Sequence, residues 1–166
     1  MKLRILPRFE YFLYTSIILI GIALDQLTKW LAVTYLKPVY IFPLFDGVLQ
    51  LRFETNTGAA FGMFGEPNQR WIFMLISTIA IVAMAAYLFL GISEGKLSGV
   101  ALALLISGGI GNMIDRVALG YVVDFIDFCL IDFAVFNGAD SFVCIGAGLL
   151  MLSLLMEITK EGQAKK

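Results

Sequence analysis

Residues 71–93 read WIFMLISTIAIVAMAAYLFLGIS, a run of 23 residues without a charged side chain. About 20 mostly apolar residues in a helix cross the roughly 30 Å hydrocarbon core of a bilayer. This stretch therefore predicts a membrane span. Three more follow outward from it. Residues 97–116 are uncharged as far as Ile114 and close on Asp115-Arg116; residues 11–36 carry only Asp25 and Lys29; residues 140–159 are uncharged from Ser141 to Met156. A polar turn at Glu94-Gly95-Lys96 makes the second and third spans an antiparallel hairpin. The composition agrees: 60% of residues are hydrophobic, 15% are charged and mean hydropathy is +0.88. A soluble domain has about 45–50% apolar and about 25% charged residues. The expectation is an all-α membrane protein with four transmembrane helices in one integral membrane domain, 1–166, with outer segments at 37–70 and 117–139.

The same composition excludes several chemistries. There is no histidine, so Ser-His and Cys-His nucleophile pairs and most zinc sites are ruled out. A net charge of -1 gives no basic field for nucleic acid. Cys129 and Cys144 are too few for a disulfide framework and read as small apolar fillers. Carboxylates, amides and a few cations remain.

Basic residues set the direction. Lys2, Arg4, Arg8, Lys96, Lys160, Lys165 and Lys166, seven of the twelve, fall at the ends or in the turn that would share one side. By the positive-inside rule that side is the cytoplasm, with both termini there. The first span resembles a signal peptide in its basic start, but no small-x-small cleavage pattern follows Leu24, and it reads as uncleaved. Trp30, Tyr35, Trp71 and Tyr121 fit an interfacial aromatic belt. In VLQLRFETN at 48–56, Leu49, Leu51 and Phe53 alternate with Gln50, Arg52 and Glu54, the period-two pattern of a half-buried strand. A small sheet on the outer membrane surface is expected there.

Ionisable residues inside spans are costly and tend to mark function. Asp25 and Lys29 lie at the outer end of span one; Asn112, Asp115 and Arg116 lie at the outer end of span three; Asp140 starts span four, and Asp124 precedes it. Four parts of the chain thus send polar groups to one level. Each has a structural reading: an internal ion pair for Asp25 and Lys29, a network with Asp115 and Arg116, an interhelical hydrogen bond for Asn112 beside the close-packing Ser107, Gly108 and Gly111, and a first-turn acid for Asp140. Asp124, in GYVVDFIDF, is harder to explain structurally; Asp127 and Asp132 read as solvated loop acids. If Asp124 and Asp140 meet, two close carboxylates share a proton, one taking a proton from water and the other donating to a carbonyl oxygen. That is peptide hydrolysis without metal or cofactor.

The strings DQLTK at 25–29, NTGAAFG at 56–62, GNMIDR at 111–116, GYVVDFID at 120–127 and FNGADS at 136–141 resemble those of lipoprotein signal peptidase, the bacterial signal peptidase II family, in family order across most of the chain. The resemblance implies a membrane aspartic endopeptidase that cuts diacylglyceryl-modified prolipoproteins before the lipidated cysteine, at the outer side of the bacterial inner membrane. It implies a catalytic pair of Asp124 and Asp140. Asn56, Asn112, Arg116 and Asn137 would contact substrate or orient the pair, with Asp25, Lys29, Gly58, Gly108 and Asp115 in support. It also implies an extracytoplasmic β-cradle near 48–56 and a short surface lid helix within 57–69, where Phe61, Met63 and Phe64 would meet lipid. The partners implied are the lipidated substrate and membrane lipid, with the enzyme acting as a monomer. Gly138 and Phe142 depart from the family pattern beside Asp140. Two rivals stand next to this reading. GYVVDFID has the look of half of a metal-dependent phosphatidyltransferase motif, whose other half is missing. A small four-span transporter or assembly factor would use Asp25, Lys29 and Asp115 for coupling, although transport sites lie near the midplane.

Overall fold

The computed structural model describes residues 6–58, 67–92, 95–131 and 133–164. Helix α1 spans Arg8–Leu31 and runs on through a wider π-helical turn, Ala32–Leu36. Strands β1 (Ile41–Phe45) and β2 (Leu49–Asn56) follow, then helices α2 (Pro67–Phe89) and α3 (Lys96–Ala118), strand β3 (Val122–Phe128) and helix α4 (Gly138–Ala164). All four helices are long and apolar enough to cross a membrane, within Arg8–Leu36, Trp71–Phe89, Lys96–Ala118 and Gly138–Lys160. The three strands form one antiparallel sheet in the order β1-β2-β3.

Helix α3 is the inner helix, half buried and packed on each of the other three, while α2 and α4 leave most of their apolar surface exposed. Tyr14 and Ile18 of α1, Leu88 of α2 and Leu102, Ala103 and Ile106 of α3 form the core between them. Lipid tails are as apolar as leucine, so close packing and buried hydrogen bonds must hold such helices together. Gly108 shows the closeness required: a Cβ there would run into the carbonyl oxygen of Ala139 and the Val143 side chain. Gly108→Ala is expected to push α4 off α3 and cost about 1–3 kcal/mol, the usual range for overpacking. Thermal unfolding in detergent would register it as a lowered midpoint.

The strands hang from the ends of the helices. Leu119 and Gly120 donate to the Asp115 carbonyl (2.7 and 3.3 Å), and Gly120, at φ 83°, turns the chain out of α3 into β3. Ala32 and Leu36 of the π turn pack under Phe53, Val123 and Phe125, seating the sheet on the end of α1. Pairing of β2 with β3 sets Glu54 opposite Asp124 and Asn56 opposite Val122, with a bulge between Leu51 and Glu54. Bulges re-aim side chains and are common beside active sites.

Several expectations are refined. The alternating stretch is a strand of a small sheet, as expected, and among the described residues it is the middle one of three. β3 carries Asp124 and lies in the outer segment 117–139, for which no strand was expected. Asp127 is not solvated: it is buried, accepting from Gln50 (2.7 Å) and lying 3.4 Å from Arg52 Nε. Cys129 and Cys144 are exposed instead of filling the interior. Trp30, Tyr35 and Trp71 are exposed as a belt requires, whereas Tyr121 packs against the sheet's apolar cluster. The expected lid helix, with Phe61, Met63 and Phe64, lies mostly outside the described residues, as do Glu94 and Asp132.

Candidate active site

The return of the chain after β3 decides where the carboxylates go. Phe136 O accepts from the backbone N–H groups of Phe125 (3.0 Å) and Ile126 (2.8 Å), and Phe136 N–H donates to Ile126 O (3.0 Å). This bridge sets Asn137 against Asp124 and starts α4 there. Asn137 caps α4 reciprocally: its Oδ1 accepts from Asp140 N–H (3.0 Å), and its own N–H donates to Asp140 Oδ2 (3.2 Å). Its Nδ2 donates to Asp124 Oδ1 (2.6 Å) and to Val123 O (3.3 Å). One fully buried asparagine therefore holds both carboxylates.

Asn112 of α3 completes the frame. Its Nδ2 donates to Asp140 Oδ1 (2.7 Å), and its Oδ1 accepts from Lys29 Nζ (2.9 Å) and Asn137 Nδ2 (3.1 Å). An ammonium has no acceptor, so Lys29, together with the Asn137 amide, fixes which way the Asn112 amide points. Lys29 is itself bound to Asp25 Oδ2 (2.9 Å) and Asp115 Oδ2 (3.2 Å). These two acids have matching second tasks. Asp25 Oδ1 accepts from Ala139 N–H (2.9 Å), and Asp115 Oδ2 accepts from Val123 N–H (3.1 Å). Ala139 and Val123 immediately precede Asp140 and Asp124. A buried carboxylate–ammonium–carboxylate bracket thus holds the backbone next to each member of the pair.

The other residues expected here fall around this frame. Asn56 Oδ1 accepts from Gly58 N–H (3.0 Å), and its side chain also hydrogen-bonds Asp124. Arg116 Nη2 donates to Gly58 O (3.0 Å), its Nη1 donates to Asn112 O (3.2 Å), and its guanidinium lies over the Phe73 ring (4.8 Å). Gly108 lets α4 approach α3. Gly138 leaves room for a side chain, since a Cβ there meets nothing closer than 3.6 Å, and Phe142 rests near Gly21 of α1. All eleven residues singled out from the sequence therefore belong to one connected region. Gln26 was not singled out and belongs with them: its Nε2 donates to Asp25 Oδ2 (3.2 Å), Asp115 Oδ1 (3.0 Å) and Gly111 O (3.2 Å). Its place three residues before Lys29, on the same helix face, was the available signal.

Burial pushes the Asp124 carboxyl up to about 7, and the nearby Asp140 carboxylate adds to this; Asn137, Asn56 and the Lys29 charge oppose it. Two carboxyl groups joined through one asparagine, one of them titrating near neutrality, suit general acid–base work on a water.

The family profile described as signal peptidase II matches residues 17–156. The lipoprotein signal peptidase of Shouchella clausii is 45% identical over 149 residues, covering 89% of this chain and 96% of the relative. That of Halalkalibacterium halodurans is 38% identical over 156 residues, covering 93% and 97%. Two solved structures described as bacterial membrane enzymes superpose with TM-scores of 0.81 and 0.77 at 32% and 33% identity, covering 89% and 86% of this chain and 90% and 92% of theirs. With four helices long and apolar enough to span a membrane, a small three-stranded sheet and a match over most of its length, the chain belongs to the signal peptidase II family, membrane proteases that remove signal peptides from prolipoproteins.

Proposed function

We propose that Asp124 and Asp140 are the catalytic pair of this peptidase and that they act on a diacylglyceryl-modified prolipoprotein, cutting before the lipidated cysteine. The observation that carries the reading is Asn137, hydrogen-bonded to both carboxylates at once. Asp140 accepts hydrogen bonds at both oxygens and serves as the base. Asp124 holds the shared proton and serves as the acid. Asp140 removes a proton from a water, whose oxygen attacks the scissile carbonyl carbon. Asp124 gives its proton to the carbonyl oxygen, forming a gem-diol. On collapse, Asp140 passes its proton to the departing nitrogen of the cysteine, and Asp124 recovers one from the diol. Asn137 and Asn112 orient the pair, Asn56 faces Asp124 from β2, and Arg116 ties the loop after β2 to α3. Asp25, Lys29 and Asp115 hold the two backbones in place.

One chain supplies every residue of the site, which supports action as a monomer. The basic residues at the ends of the spans support cytoplasmic termini and a site at the outer face, where a lipidated substrate lies in the adjoining leaflet.

The test is cleavage of a synthetic lipidated precursor in detergent, followed across pH. Asp124 must be protonated to act as the acid, and its carboxyl titrates at about 7. The plot of kcat/KM is expected to decline above that pH, approaching a tenfold loss per pH unit. A profile flat from pH 6 to 9 would refute the role of Asp124. A precursor without its diacylglyceryl group is expected to be cut poorly.

A further inference from the structure

A cavity of about 500 Å³ lies between the end of α1 and the sheet, lined by Leu31, Ala32, Leu36, Val39, Phe42 and Phe125 among others. It is separate from the catalytic pair. Neighbouring side chains on a strand point to opposite faces, so Phe125 turns away from the side that Asp124 presents. The wall is almost wholly apolar. Thr28, one of its two hydroxyl-bearing residues, already donates within its own helix to Leu24 O and Asp25 O (both 2.9 Å).

Three observations indicate what fills it. The cavity adjoins the last turns of a helix long and apolar enough to span a bilayer, which puts it at the end of that span. The rings of Trp30 and Tyr35, both exposed, meet edge-on at 6.3 Å beside it; amphipathic rings of this kind sit at headgroup depth. A cation lies one side chain away from the lining: Lys37 follows Leu36 in the chain, its Nζ lies 5.6 Å from the centre of the Phe53 ring, and Phe53 packs with the Leu36 and Phe125 side chains that line the cavity. Among the described residues no carboxylate pairs with Lys37. An apolar slot at the end of a span, with an ammonium beside it that no carboxylate among the described residues neutralises, matches one end of a charged lipid.

We propose that this cavity binds one acyl chain of an anionic phospholipid, with the phosphate against Lys37, and that the bound lipid supports the sheet on the end of α1. The site is independent of the catalytic reading.

The test is native mass spectrometry of the full chain in mild detergent, titrated with phosphatidylglycerol or phosphatidylcholine. One phosphatidylglycerol should be retained per chain, bound about fivefold more tightly than phosphatidylcholine, the effect of one lysine near an anionic headgroup. Val39→Trp fills the cavity from its exposed side and should abolish retention of both lipids; Leu31→Trp, from the helix, should do the same. Lys37→Gln should equalise the two lipids without preventing binding. Failure to retain lipid, retention unchanged in both tryptophan variants, or a preference that survives Lys37→Gln would overturn the proposal. So would displacement of the phospholipid by a lipidated precursor from the Asp124→Asn protein, which would make the cavity the substrate's own acyl pocket. None of these readouts depends on turnover.

Discussion

Asp124→Asn is expected to remove prolipoprotein cleavage, with a loss of at least about 10²–10⁴-fold, the usual worth of one general acid–base group, while the protein stays folded. Its shape is unchanged, and its amide oxygen still accepts from Asn137 Nδ2, replacing the 2.6 Å bond in the native protein. Stability should move in the direction opposite to activity. The folded-state carboxyl titrates at about 7, above the 3.8 of an exposed aspartate. Below about pH 4 both forms of the chain hold the proton. As pH rises through 7 the native protein must ionise a buried acid, and the stability that its protonated form contributed is lost. The asparagine variant avoids that loss, so its melting midpoint should equal or exceed that of the native protein at pH 8. Asp140→Asn should be equally inactive but less stable. Asp140 accepts at both oxygens, from Asn112 and from the backbone of Asn137, and an amide satisfies only one. Loss of that capping interaction costs about 0.5–2 kcal/mol. Thermal melts and turnover measured on one preparation check both halves. Native-like turnover by either variant would sink the assignment.

Lys29→Met is expected to have the largest effect on folding. It leaves the buried Asp25 and Asp115 carboxylates with no cation between them, where Lys29 now lies 2.9 and 3.2 Å away. Breaking a buried ion pair from one side costs about 3–5 kcal/mol, a large share of the stability of a small protein. The informative comparison is the neutral triple variant Asp25→Asn, Lys29→Met, Asp115→Asn. Its asparagine oxygens still accept from the Ala139 and Val123 N–H groups, and no charge is left buried, so much of the lost stability should return. Activity should not return with it. Without Lys29 the Asn112 Oδ1 keeps only Asn137 Nδ2 as a donor, and the hold that turns its Nδ2 toward Asp140 is weakened. A triple variant that melts near the native protein, with KM retained and kcat reduced, fits a bracket that orients the pair. A triple variant with native kcat would reduce the bracket to a stabilising role.

The residues differ in how openly they declared themselves. The spans were legible because a bilayer imposes a length and polarity that no local propensity overrides: residues 71–93 admit no other reading, and α2 runs through most of them. Asp25, Lys29, Asn112, Asp115 and Asp140 were legible as a group because charges at one end of several spans are expensive unless they meet. β1 and β3 were not legible. VVDFIDF is too short and too apolar to separate a buried strand from a loop, and its pairing with β2 depends on residues about seventy positions away. Asp127 looked solvated because its partners, Gln50 and Arg52, lie on that same distant strand.

From the amino-acid order alone came four apolar helices, the end at which their charges gather and, through its short strings, the family. The tertiary structure decided the rest: that Asn137 caps α4 while reaching Asp124, that Lys29 and Asn137 together set the direction of the Asn112 amide, and that Asp25 and Asp115 hold the backbone beside each member of the pair. The division has a physical cause. Transfer into a bilayer is a sum over neighbouring residues and can be read along the chain. A hydrogen bond is a matter of a few tenths of an ångström between groups that folding alone brings together.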